Sequence, residues 1–362
     1  MTNSEKNVSG QPPKKRFVSI LLLGLLLFGA GYGVYQSGAL DALYGMFGGD
    51  VVDKATKVPY SREQLKADRE RYKKDPTQPA PRVPMDANGY FIPPDPEDIP
   101  DDKLGEGVRR GREIFNNTSE AAKEYVGSAL ACVNCHLDSG RREHSAPMWG
   151  AFGSYPAYRS KTRSINTLKD RMYDCFTYSM NAQDSPSGAA PPMNSDIYRD
   201  VISYIGWMAD GSPSGGKLHG SLYPKLKETE LGYDYTRGEA VYVDNCQLCH
   251  AEQGQGRMEQ DGSKVRFPPL WGAHSYNWGA GMARVDTAVG FIKANMPLGK
   301  PFSLEDQDAW DVAAYINSHE RPKDPRQTGT VEETADYDHK NEKSYYGKMV
   351  NGELRGIGVI KK

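Results

Sequence analysis

The chain has 362 residues, 38% of them hydrophobic and 25% charged, with a formal net charge of −2. That length allows two domains with cores of their own, and the near-neutral balance excludes a global pull towards nucleic acid or anionic membrane, so any anion site has to be local. The 38 Gly and 24 Pro suit small, loop-rich domains better than long bundles.

In chain order, the first predicted element is apolar. No charge interrupts Phe17–Tyr35, a run of 19 residues after Lys14, Lys15 and Arg16. At about 1.5 Å per residue such a run can cross a bilayer core. The preceding cations then leave residues 1–16 cytoplasmic and everything downstream exported. The expectation is an uncleaved anchor over 17–35, because no Ala-x-Ala site follows; the alternative is a cleaved signal peptide with its apolar core at Val18–Phe28. Residues 36–100 read as a tether. "KKDPTQPAPRVP" and "FIPPDPEDIPDD" are rich in Pro and charge, a composition that rarely buries a core; "YSREQLKADRERYKK" within it predicts a short polar helix.

An internal repeat follows. The second copy opens with Gly238, Tyr242 and Cys246 at intervals of four, and the first with Gly111 and Phe115 at the same interval before an inserted "TSEAAKEYVGSALA". Each copy carries Cys-x-x-Cys-His (132–136 and 246–250) and then Pro-x-Trp-Gly (147–150 and 269–272). Each closes on a segment with apolar residues at three- and four-residue spacing, 195–208 and 304–319, which predicts a helix. The expected architecture is all-α: two cytochrome c-like haem domains in tandem, 101–212 and 233–322, with a linker at 213–232 and a polar tail at 323–362.

Cys-x-x-Cys-His is the c-type haem attachment pattern. One turn presents both thiols to the porphyrin edge and brings the histidine under the iron. Two covalently bound haems are therefore expected, on Cys132, Cys135 and His136 and on Cys246, Cys249 and His250. A zinc site would need further clustered ligands, and the remaining histidines (144, 219, 274, 319 and 339) are scattered. For the second haem the distal candidate is Met296, 46 residues after His250 and just ahead of the closing helix. A thioether there raises the reduction potential; Lys293 is the reserve. For the first haem, counting back from the closing helix selects Met180 and counting forward from Trp-Gly selects Cys175. Internal symmetry leaves both open.

Cys175 is also the fifth, unpaired cysteine of an exported chain, where free thiols are reactive or intermolecular. Arg159, Lys161, Arg163, Lys169 and Arg171 precede it within 16 residues. Arg171 and Ser179 each lie one turn from Cys175, so the three can share a helix face, and the guanidinium offers a fork for an oxyanion.

With "YPAYR" at 155–159 and "DRMYDCFTYSMN" ahead of "FIKANMPLG", residues 101–322 resemble the di-haem thiosulfate dehydrogenases. The resemblance implies a first haem with His136 and Cys175 as axial ligands and a second with His250 and Met296. In some members a lysine next to the methionine exchanges with it; here that neighbour is Asn295. It implies a substrate pocket of Arg171, Ser179 and Gln183, with Arg163 less securely placed. It also implies oxidation of thiosulfate to tetrathionate or the reverse, with electrons leaving to a periplasmic or membrane acceptor such as another cytochrome c. The expected location is the periplasmic side of the inner membrane, with no nucleic-acid partner. Two readings compete: a membrane-tethered di-haem electron carrier using Met180, and a sulfur-oxidation cytochrome acting on a carrier-bound substrate.

Overall fold

The computed structural model describes residues 59–215, 217–261 and 264–359; the anchor expected over 17–35 lies outside the described residues. Among those described, no helix is long and apolar enough to cross a membrane. The protein is largely helical, with three small antiparallel hairpins, β1–β2 (Ala157–Arg159 with Ser164–Asn166), β3–β4 (Arg257–Met258 with Val265–Phe267) and β5–β6 (Met349–Val350 with Glu353–Leu354).

The repeat is a pair of crossed helices built twice. In the first copy α2 (Lys103–Asn116) packs on α4 (Asp196–Met208); in the second α5 (Tyr235–Asn245) packs on α7 (Asp306–Asn317). Each opening helix is started by an aspartate whose carboxylate accepts backbone N–H groups, Asp102 from Gly105 and Asp234 from Thr236 and Arg237. At each crossing a glycine is required by close approach. A Cβ on Gly111 would stand 2.0 Å from the Asp200 carbonyl oxygen, and one on Gly238 would stand 1.9 Å from that of Asp311. The preceding residue, Arg110 or Arg237, forms an ion pair with the same aspartate at 2.8 Å. One turn on, Phe115 meets Tyr204 and Tyr242 meets Tyr315, at centroid distances of 5.8 and 5.3 Å. The four-residue spacing seen in the sequence thus places a contact glycine and a packing aromatic on one helix face.

Three further helices matter for the site. They are α1 (Arg62–Lys74), α3 (Leu168–Asp174) and α6 (Val285–Asn295); a short α8 (Val331–Thr334) lies near the C-terminus. α1 is the helix expected within the tether, opened by a reciprocal Ser61–Gln64 cap. Its surroundings differ from the expectation. Tyr60, Leu65, Met85, Phe91 and Ile99 are buried, Phe91 packs on Trp149, and Arg62 and Arg69 both pair with Asp210. Over 59–100 the chain is a belt packed on the first repeat, because one large side chain every few residues suffices to pin an otherwise polar strap. The tail is likewise packed, with Val331, His339, Tyr346 and Val350 buried.

Candidate functional site

Both Cys-x-x-Cys-His motifs begin where the opening helix of their repeat ends or shortly after, and the Pro-x-Trp-Gly loop positions their histidines. His136 Nδ1 lies 2.8 Å from the carbonyl of Ala146, and His250 Nδ1 lies 2.9 Å from that of Pro268. These carbonyls occupy equivalent places, each just before the Pro of Pro-x-Trp-Gly. With the proton held on Nδ1, Nε2 keeps its lone pair for a metal. Burial reinforces this. It pushes the His136 imidazole down to about 4, and lowers His250 likewise, so both rings stay neutral.

Three of the motif cysteines are held neutral in the same way. Burial pushes the Cys132, Cys135 and Cys246 thiols up to about 12. Cys175 adds to the rise in both Cys132 and Cys135, which locates its thiol within electrostatic reach of the first motif. Cys175 ends α3, which Thr167 and Asp170 open with a reciprocal cap. There the chain widens into a π turn, Cys175–Ser179, closed by the Met180 N–H donating to the Cys175 carbonyl at 2.9 Å. Met180 is buried at the end of this turn, where its carbonyl accepts from Gly127 and Ser128, the residues leading into the first motif.

Arg171 lies one turn before Cys175 and is half-buried. Its guanidinium is held above its usual range, first by the charge of Cys175 and against the effect of burial. It forms no ion pair among the described residues. The Tyr155 side chain accepts a hydrogen bond from it, and a guanidinium with no carboxylate partner can receive an anion. Ser179 closes the same turn, and its hydroxyl makes no hydrogen bond to a described residue. Tyr155, Tyr198 and Tyr223 surround the same point, each raised by burial and further by Cys175.

Two of the sequence candidates face elsewhere. Arg163 sits in the turn of the β1–β2 hairpin with φ 53°. It donates to the Tyr337 carbonyl at 2.8 Å, stacks on the Tyr337 ring and lies 3.6 Å from Asp338. Gln183 donates to the Lys323 carbonyl. Both hold the tail rather than the surroundings of Cys175. The inward-facing cation of the hairpin is Lys161. It donates to the Gly279 carbonyl, lies 4.6 Å above the Tyr178 ring and is within electrostatic reach of Arg171. The basic run signalled such a residue but could not choose between positions 161 and 163, since the hairpin turn decides which side chain points in.

In the second repeat Met296 caps α6 and packs half-buried against the core. Lys293 is engaged with the Leu304 carbonyl and with Asp306 at 2.7 Å, which leaves Met296 as the distal candidate.

A neutral histidine with a free Nε2, two half-buried thiols ahead of it in the same motif and a helical domain around them fit c-type haem, and define the protein as a c-type cytochrome. A family model described as cytochrome c oxidase, cbb3-type, subunit III, matches residues 234–316. The thiosulfate dehydrogenase of Stutzerimonas stutzeri is 46% identical over 272 residues, 75% of this chain and 86% of that protein. The one from Thiomonas intermedia is 47% identical over 272 residues, 75% and 84% of the two chains. The one from Allochromatium vinosum is 39% identical over 235 residues, 64% and 84%. Among solved structures, the thiosulfate dehydrogenase TsdBA of Marichromatium purpuratum in its as-isolated form matches with a TM-score of 0.73 at 47% identity; the match covers 75% of this chain and 59% of that one. The chain belongs to the thiosulfate dehydrogenase family, and it is an enzyme.

Proposed function

We propose that the protein joins two thiosulfates into tetrathionate at Cys175 and passes two electrons through the second repeat to an outside acceptor, such as another cytochrome c. The observation that carries this reading is the Cys175 thiol, set within electrostatic reach of Cys132 and Cys135 and of the Arg171 guanidinium one turn before it, which has no carboxylate partner among the described residues. In this reading Cys132, Cys135, His136 and Cys175 would hold one haem, and Cys246, Cys249, His250 and Met296 another. When bound, haem would supply one-electron acceptance, at a lower potential beside a thiolate than beside a thioether.

The chain's residues do the rest. Arg171, aided by the field of Lys161, neutralises the approaching dianion, and Ser179 can donate to a sulfonate oxygen. The Cys175 thiolate and one thiosulfate lose two electrons as a sulfur–sulfur bond forms between them. The second thiosulfate attacks that adduct at its outer sulfur, tetrathionate leaves, and the Cys175 thiolate is returned. Charge and atoms balance over the cycle, and the reverse sequence reduces tetrathionate. A half-buried thiol beside an arginine that has no carboxylate partner among the described residues favours this enzyme over an electron carrier, which has no use for an anion site. We place the chemistry on the periplasmic side of the inner membrane, with the apolar run at 17–35 as its anchor.

The test mixes oxidised, detergent-solubilised protein with thiosulfate, without other reductant, and follows haem reduction optically in wild type and Cys175→Ala. Reduction in the wild type alone is expected. Equal reduction in both would remove Cys175 from the reaction.

A further inference from the structure

The turn that carries Cys175 is held by the other repeat. A π turn has one more residue than an α turn and does not continue the α-helical hydrogen-bond ladder. The carbonyls of Thr177 and Tyr178 therefore need partners from outside, and both find them on Asn277. This residue is fully buried in the loop after Trp271. Its Nδ2 donates to the Thr177 carbonyl at 2.9 Å and to Asn181 Oδ1 at 3.2 Å, and its backbone N–H donates to the Tyr178 carbonyl at 3.2 Å. Its own Oδ1 accepts from Gly279 N–H at 3.1 Å and its carbonyl accepts from Ala280 N–H. Every polar group of the residue is used, and three of its five bonds cross to the segment 177–181.

The neighbours tighten the grip. Asn181, also fully buried, takes a left-handed backbone at φ 52° just after the turn and donates to Asp184. Gly279 lies so close to Tyr178 that a Cβ there would be 2.5 Å from the ring, and its carbonyl accepts from Lys161. At the far end, Met180 is fixed by Gly127 and Ser128. Because that end cannot move, any slack introduced into the turn must be taken up at its start, which is Cys175.

We propose that Asn277 is a positioning residue for Cys175: by holding the π turn open it sets the thiol against the first Cys-x-x-Cys-His, so that the second repeat fixes the geometry of the reacting site in the first. The proposal deepens the reading of Cys175 as the reacting group and rests on it. Without the Asn277 amide, the Thr177 carbonyl and the buried Asn181 Oδ1 lose the donor they share, and the turn is free to relax towards the narrower α form.

The test uses the full-length holoprotein and two variants, Asn277→Ala and Asn181→Gly; glycine tolerates the left-handed backbone at 181. Three quantities are read: hydrogen exchange of the Met180 amide, the optical and paramagnetic signature of thiolate-ligated iron, and the rate of haem reduction by thiosulfate. Asn277→Ala is expected to speed exchange at Met180, to split or abolish the thiolate signature, and to slow thiosulfate-driven reduction by roughly tenfold to a hundredfold. The histidine–methionine signature of the second repeat, whose fold contains Asn277, is expected to stay intact. Asn181→Gly moves the same readouts less, and carries the test if Asn277→Ala does not retain the second haem. Unchanged exchange at Met180 together with a wild-type thiolate signature would overturn the proposal. Failure of the functional reading is seen separately: the wild type would then lack the thiolate signature, or Cys175→Ala would leave reduction by thiosulfate unaltered, while Met180 exchange still reports on the clamp.

Discussion

Among single residues, Lys161 tests the electrostatics of the site most directly. Burial, foremost, and the nearby Arg326 guanidinium push its amine down to about 8, so it loses its charge within an accessible pH range. Two consequences have opposite signs. The unfolded chain holds this proton up to the ordinary lysine value of 10.5, so the fold gains stability between about pH 8 and 10.5 as the mismatch disappears. Over the same interval the site loses a cation. We expect the KM for thiosulfate to rise as pH passes about 8, with Lys161→Met raising it about tenfold or more at neutral pH and flattening that limb. Steady-state kinetics from pH 6 to 9.5 on both proteins check this; an unaltered limb in the variant would assign the effect to another group. The sequence made part of this legible. Arg171 and Ser179 are each one turn from Cys175 by spacing, Arg171 on the helix before it and Ser179 at the end of the π turn, whereas Arg163 and Gln183 are turned to a tail whose path no local pattern encodes.

Helix pairs are where the sequence was most readable. Gly111 with Phe115, and Gly238 with Tyr242, announce the same crossing twice, and Arg110 and Arg237 add an ion pair to a nearly buried aspartate, Asp200 or Asp311. A methyl group at Gly238 has to displace the α7 backbone at Asp311. We expect Gly238→Ala to destabilise the protein by about 1–3 kcal/mol or more and to loosen the second site before the first, measured by thermal unfolding with each haem's absorbance followed in turn. Gly272, whose added Cβ would meet nothing within 4 Å, has φ 78°, so Gly272→Ala reports backbone strain alone and serves as the comparison. The π turn at Cys175–Ser179 was not legible, and the reason is physical. Its residues suit an α-helix equally well, and only Asn277, about a hundred positions away, supplies the donors that make the wider turn the better choice.

On the scale of the whole molecule, the two polar segments that flank the repeats are structural. The belt at 59–100 and the tail after 322 carry too few apolar residues to announce a core; they are held by a few buried side chains together with ion pairs, which composition alone reads as solvation. The tail's latch is a buried network. His339 places Nε2 2.9 Å from Asp324 and Nδ1 2.7 Å from Glu342, while Arg326 pairs with Asp324 at 2.6 Å and lies 3.4 Å from Asp338. His339 also stacks on Tyr346. Burial alone would lower the His339 value, but the two carboxylates overcome it and hold the imidazolium above its ordinary 6.5. Asp324 and Glu342 are held below their ordinary 3.8 and 4.5, against burial, by His339 and the adjacent arginines. The signs then bracket the latch. The histidine's contribution is complete below pH 6.5 and fades as pH rises through its raised value; the carboxylates contribute above 4.5 and fade as pH falls towards their lowered values. The latch is tightest between about pH 4.5 and 6.5. Because the Lys343 carbonyl accepts from the Val285 N–H at the start of α6, loosening the tail frees the helix that ends at Met296. We expect His339→Gln to cost about 3–5 kcal/mol at pH 6, the range for breaking a buried ionic pair, and to remove the alkaline decline in Val285 amide protection seen in the wild type. Hydrogen exchange at pH 5.5, 7 and 8.5 decides it: protection at Val285 that ignores pH in the wild type would mean that the tail is held by packing of Val331, Tyr346 and Val350, with the charges as passengers.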